Sequence, residues 1–334
     1  MKLTDFHHQP GAHCGSTSLR NLAEFYGWNL AEPVCFGLAS GLGFTYLELP
    51  MDPWRAFFGR PMWLEEAFFE NLEIPHTHTK GDDWETAWDA VTNRLDSGDP
   101  VILFVDLYYL DYYETDTHFA PHSLLLVGYD EANDVAFVAD NEFDEIQRLP
   151  ISSLREAWSS KDMLPLEHRY LVVDEPTRGT SIEDATAKAV RDTADFMLDP
   201  ESIERTPMPY GTHGIEGIRA MAENIENWSS LDDVQWVLRF AYQNIERRGT
   251  GGGLFRRLYA SFLNTQGDAI EMRDAADRMQ TIADEWTEIG RIFQEASELE
   301  TPDEQRSALG DLADRIDRQA SREAEFYRDI RSSL

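Results

Sequence analysis

The apolar residues of this chain change period part-way along it, and that change limits the folds open to it. Up to Val173 helical spacing is interleaved with runs that only a strand satisfies, whereas from Ser181 onward nearly every apolar repeat follows a helical period. The stretch Ser16 to Trp28 carries Leu19, Leu22, Phe25 and Tyr26 at helical spacing with a stop at Gly27, so a helix starts just behind Cys14. Pro61 to Asn71 and Asp83 to Leu95 read as two more helices, the second closed by Ser97-Gly98-Asp99-Pro100. Val101 to Tyr109 is β-branched and aromatic. His122 to Tyr129 and Asp134 to Asp140 flank Asp130-Glu131-Ala132-Asn133 and read as a hairpin. Ile151 to Ser160 is a short helix and His168 to Val173 a returning strand. Helices first and an antiparallel sheet second make an α+β layout.

The turn-rich stretch Asp174-Glu175-Pro176-Thr177-Arg178-Gly179-Thr180 marks a joint, and the expected domains are 1–176 and 177–334. Beyond it Ser181 and Asp184 open a helix as a capping pair. Apolar faces then run through Ile215, Ile218, Ala222 and Ile225, through Val234, Leu238, Ala241 and Ile245, and along Leu254 to Leu263. Two long amphipathic segments lie either side of Thr301-Pro302. These predict an all-helical bundle. The spacing of the last two helices also permits an antiparallel pair that joins two copies of the chain.

The 334 residues hold 62 Asp+Glu against 29 Lys+Arg, a formal net charge of -33. Such a field repels phosphates and anionic lipid, which excludes nucleic acid and membrane surfaces as expected partners. Only four of the basic residues are lysines, and the acids are spread along the chain rather than gathered in a tail. That is the surface of a halophilic protein, whose carboxylates hold water and salt. The first residues show no positive-then-apolar leader and no run reaches the length of a membrane span, so a cytoplasmic location is expected. With two cysteines, Cys14 and Cys35, a structural disulfide is not expected there.

Cys14 stands where a helix begins. Unpaired N–H groups and the positive end of the helix dipole favour thiolate at that position. The same N–H groups, that of Cys14 among them, suit an oxyanion, and Gln9 five residues upstream offers a side-chain amide to it. Of the nine histidines, His122 opens a strand with water-excluding neighbours. The hairpin returns Asp140 beside it to fix its tautomer. Cysteine, then histidine, then aspartate is the order of a papain-like enzyme. His118 with Asp116 on the preceding loop is the alternative base and orienter. His7, His8, His13 and Cys14 could be read as a metal cluster, but no second ligand pair with suitable spacing follows, so neither metal nor cofactor is expected. Cys35 has no such company and reads as core, and His76-x-His78 as a surface strand or loop.

Two glycine-rich places remain. Phe36 to Phe44 lacks the Lys and Ser/Thr of a phosphate loop, and tight backbone at Gly41, Gly43 and Phe44 is expected to line a substrate cleft. Gly249 to Gly253, followed by Arg256 and Arg257, reads equally as a turn, a flexible lid or an anion site, with Arg256 as the substrate-binding residue.

These residues resemble a known family. His13-Cys14-Gly15-Ser16-Thr17-Ser18-Leu19-Arg20-Asn21-Leu22, Tyr26-Gly27, Glu32 and Phe36 to Phe44 resemble the N-terminal domain of the butirosin-biosynthesis protein H family, and the His122 strand and Val138-Ala139-Asp140-Asn141 fit the same pattern. Ile245-Glu246, Gly249 to Gly252 and Phe255 to Leu263 are similar to the helical domain of unknown function that often follows it. The resemblance implies a papain-like fold with the site carried onto Cys14, His122 and Asp140. It also implies acyl transfer, because the founding member moves an amino-acyl chain from a carrier-protein thioester to an aminoglycoside amine. The aminoglycoside is not carried over. The expected partners are an acyl donor, such as a carrier-protein or coenzyme A thioester, and an amine acceptor. A thiol amidohydrolase or peptidase using the same residues, or a binding protein on an inactive fold, are the alternatives.

Overall fold

The computed structural model describes residues 1–203, 205, 209–267 and 272–334. By contact the chain divides into two compact units, Met1–Cys35 with Leu72–Gly179, and Phe36–Asn71 with Thr180–Leu334. The turn-rich joint falls where the chain passes into the second unit for good. Residues 36–71, expected in the first domain, belong instead to the second unit. The reason is their composition, since Phe36, Phe44, Phe57, Phe68 and Phe69 are all buried.

The first unit is α+β. Its sheet has six strands in the spatial order His76–Thr79, Tyr170–Val173, Val101–Val105, His122–Asp130, Val135–Ala139 and Gln147–Leu149, every neighbouring pair antiparallel. Val101–Val105 is buried throughout and His122–Asp130 over its first seven residues, as unbroken apolar runs predict for strands at the centre of a sheet. Helix Cys14–Phe25 packs on the His122 strand, and Trp84–Asp96 on that strand and on Val101–Val105. Asp83 starts the latter helix by accepting the Thr86 N–H at 2.8 Å, a cap worth about 1 kcal/mol.

The second unit is helical, with a small antiparallel sheet in the order Arg55–Phe58, Thr45–Glu48, Thr212–His213. Ser181 opens Ile182–Leu198 by accepting the Asp184 N–H at 3.0 Å, as the capping pair predicted. The last two helices, Ala275–Ser297 and Pro302–Ser332, run antiparallel within the chain, where Arg278 meets Asp329 at one end and Arg315 meets Glu285 further along. Among the described residues no helix is long and apolar enough to cross a membrane.

Gly37, in helix Glu32–Leu38, shows how tightly this unit packs. A Cβ there would lie 2.0 Å from the buried ring of Phe262. Removing an interior helical glycine gains roughly 0.5–1 kcal/mol, whereas overpacking costs about 1–3 kcal/mol. The clash wins, and Gly37→Ala should lower the melting temperature measured at fixed salt.

Candidate active site

Cys14 is the first residue of its helix and is buried, with His13 as the N-cap. The His13 ring folds over the helix end. Its Nδ1 accepts the Ser16 N–H at 3.2 Å, and its Nε2 lies 3.8 Å from the Cys14 sulfur. Beneath this turn sits the Glu32 carboxylate. It accepts the N–H of Ala12 at 3.1 Å and of His13 at 3.0 Å, and the hydroxyls of Ser16 at 2.9 Å and Thr17 at 3.1 Å. An anion that gathers donors at a helix start follows from the groups a helix leaves unpaired there. Gly11 is required on the way in, since a Cβ would stand 2.5 Å from Glu32 Oε2 and 2.2 Å from Thr17 Oγ1.

The hairpin delivers the other two residues. Leu125 lies opposite Ala139, and extending that register sets Asp140 diagonal to His122 on one face of the sheet. His122 Nε2 stands 2.9 and 3.0 Å from the two Asp140 oxygens. Nε2 therefore carries a proton, and Nδ1 is left as the nitrogen available to the Cys14 sulfur, which acts on the same ring. The loop before Cys14 is tied to the turn after Asp140. The Gly11 N–H donates to the Asn141 carbonyl at 2.9 Å, and His8, whose Nδ1 accepts from Asn21 at 3.1 Å, donates from Nε2 to the Phe143 carbonyl at 2.7 Å.

Asp140 has two further donors, the hydroxyl of Tyr112 at 2.8 Å and that of Tyr113 at 3.0 Å. The Tyr113 ring also meets His122 edge-on at 5.8 Å. Burial would raise the Asp140 carboxyl, but the His122 charge and these hydrogen bonds hold it below the usual carboxylate range. Burial likewise disfavours a charged His122, yet Asp140 and then Cys14 raise its ring well above the usual imidazole range. Burial would push the Cys14 thiol up, but the electrostatics and hydrogen bonds of His13 and His122 bring it well below the usual thiol range. The combination favours a thiolate facing an imidazolium. Cys35 shows the opposite case, because burial and then Glu32 push its thiol up.

The structure thus brings together Cys14, His122 and Asp140. Gln9 is exposed, its Oε1 accepting from Arg20 at 3.1 Å. His118 is bound to Asp106 at 2.8 Å rather than to Asp116, and stacks on Tyr108 at 4.1 Å. Asp106, His118 and Asp162 form the grouping among the described residues that could hold a metal, but Ser160 already bridges the two carboxylates at 2.8 and 3.1 Å.

The residues expected to bind substrate are buried in the second unit. Phe44 is buried between Phe57 and Trp286, and a Cβ at Gly43 would stand 2.6 Å from the Phe196 ring. At Gly41 a Cβ would stand 2.5 Å from the Phe36 carbonyl. Arg256 is fully buried, pairing Glu323 at 2.8 Å and donating to the carbonyls of Gly43 and Leu254. All four serve the second unit's core. In the Gly249 to Gly253 loop two amides are occupied, Gly253 N–H donating to Glu246 at 3.0 Å and Gly252 N–H to Thr250 at 3.1 Å.

Residues 13–141 match the model of the N-terminal domain of butirosin biosynthesis protein H, a span that encloses Cys14, His122 and Asp140. Residues 152–330 match a domain of unknown function, DUF4872. No curated protein matches the chain. With a match over more than half its length and both domains in the expected order, the chain belongs to the family in which a butirosin biosynthesis protein H N-terminal domain precedes DUF4872.

Proposed function

We propose that this protein is a papain-like cysteine acyltransferase that takes an acyl group from a thioester or activated amide and passes it to an amine. The observation that carries the reading is the buried Cys14 at a helix start, coupled to a His122 ring whose Nε2 is held by Asp140. The thiolate attacks the donor carbonyl carbon, and the developing oxyanion takes the Cys14 backbone N–H, with the Gln9 amide as second donor. As the intermediate collapses the donor's leaving group departs with the proton of His122 Nδ1, leaving that nitrogen bare and the acyl group on sulfur. An acceptor amine then attacks the thioester carbon, His122 Nδ1 takes its proton, and the Cys14 thiolate leaves. Exchange between thioesters is nearly isoenergetic, and the buried sulfur favours aminolysis by keeping water out.

The test is mass spectrometry of the protein in molar salt with carrier-protein and coenzyme A thioesters. The expected result is an acyl adduct on Cys14 that persists until an amine is added and then appears on the amine. Rapid loss of the adduct to water would replace transfer by hydrolysis, and no adduct with any donor would end the reading.

A further inference from the structure

We propose that His13 is a second working imidazole at this site, a thiolate-holding residue that donates its Nε2–H to the Cys14 sulfur. The inference rests on the acyltransferase reading and concerns how its nucleophile is kept ready.

The tautomer follows from the hydrogen bonds. A backbone N–H can only donate, so the Ser16 N–H at 3.2 Å requires a bare Nδ1 on His13. The ring proton then sits on Nε2, the atom 3.8 Å from the sulfur. The ring's place is fixed from below as well. The His13 N–H is held by Glu32, and its carbonyl accepts the Thr17 N–H at 2.8 Å in the first helical turn. Both histidines are buried, so each bond to the sulfur forms where little water competes.

The two imidazoles have different tasks. His122 must give and take protons during each turnover, so its support for the thiolate varies through the cycle. His13 takes no part in proton transfer, because its other nitrogen is committed to the helix cap. When sulfur is acylated the charge is gone and the His13 bond weakens; when the thioester is cleaved it re-forms. The other ionisable groups coupled to the sulfur and its two rings are Asp140, Tyr113 and Glu142, with Glu32 on the far side of His13.

The test is the pH dependence of Cys14 alkylation by iodoacetamide in molar salt, with the adduct located by peptide mass spectrometry. His13→Asn keeps an amide oxygen that can cap the helix but is too short to reach the sulfur; His13→Gln carries an amide nitrogen far enough out to replace the lost donor. The acid limb should rise by about one pH unit in His13→Asn, a roughly tenfold loss of rate on that limb, and return towards its original position in His13→Gln. A limb that His13→Asn leaves in place makes His13 a cap only and overturns the inference. A wild-type profile like that of an ordinary thiol would overturn the acyltransferase reading along with it. Nuclear magnetic resonance of isotope-labelled histidine in the unaltered protein supplies a second measurement. A His13 ring protonated at Nε2, with a signal that moves when Cys14 is alkylated, is expected, and protonation at Nδ1 overturns the inference.

Discussion

Cys14→Ala should abolish acyl transfer, by about 10⁴-fold or more, while the circular dichroism spectrum is unchanged. The size follows from covalent chemistry. Without sulfur no acyl intermediate forms, and the oxyanion donors alone recover only a small part of the rate. The fold is expected to survive because Asp140 keeps three of its donors, His122, Tyr112 and Tyr113, whatever stands at position 14. The unaltered protein should show a bell-shaped pH dependence. Activity needs the thiolate, so it falls as pH drops through a thiol value held below the usual range by His13 and His122; it also needs the His122 proton, so it falls as pH rises through an imidazole value raised by Asp140 and Cys14. Retained turnover in Cys14→Ala would remove the nucleophile from the mechanism.

The largest effect on stability should come from Glu323, far along the chain from that chemistry. Its carboxylate is fully buried, accepting from Arg256 Nε at 3.3 Å, Arg256 Nη2 at 2.8 Å and the Trp286 indole at 2.6 Å. Glu323→Ala leaves a guanidinium and an indole N–H without their acceptor in a dry interior. Breaking one partner of such a pair costs about 3–5 kcal/mol, a large fraction of the roughly 5–15 kcal/mol that holds a whole domain folded. Unfolding by guanidinium chloride in fixed salt should move to a much lower midpoint. The double substitution Arg256→Met with Glu323→Leu removes the need for both charges and should be milder than the single one. A double variant less stable than Glu323→Ala would show that the ion pair itself supplies net stability.

Much of the first unit could be read from residue order because the relevant signals are local. The hairpin was legible from two apolar runs around Asp130 to Asn133, and the Ser181 cap from a four-residue pattern. His122 beside Asp140 then followed from strand geometry. What escaped reading depends on side chains that meet from distant parts of the chain. Tyr112 and Tyr113 lie just beyond the strand-like stretch Val101 to Tyr109, yet the strand ends at Val105 and the chain turns into two short 3₁₀ segments that present both hydroxyls to Asp140. Glu32 is an unremarkable acid in sequence and becomes the anchor of the nucleophile turn only because the chain doubles back. In sequence His13 reads as a metal ligand beside His7 and His8. Adjacent to a cysteine at a helix start, it could have been read as a cap whose far nitrogen reaches the sulfur. At Gly43 the reason is that a glycine that makes room for a neighbouring ring looks in sequence like one that makes room for a ligand.

The split membership of the second unit bears on how the protein is made. Phe44 must wait for Trp286, on which it stacks, and Gly37 for Phe262. At translation rates of about 5–20 residues per second, the ribosome takes roughly 10–50 s to supply the missing partners. During that interval Phe36 and Phe57 have left the tunnel without Phe255 and Trp286, on which they stack. A fragment ended at the Gly179 joint would hold them in that condition permanently. The nucleophile's own unit is therefore best studied in the full-length polypeptide, and a nascent chain stalled at the joint should be a substrate for chaperones that bind exposed aromatic segments.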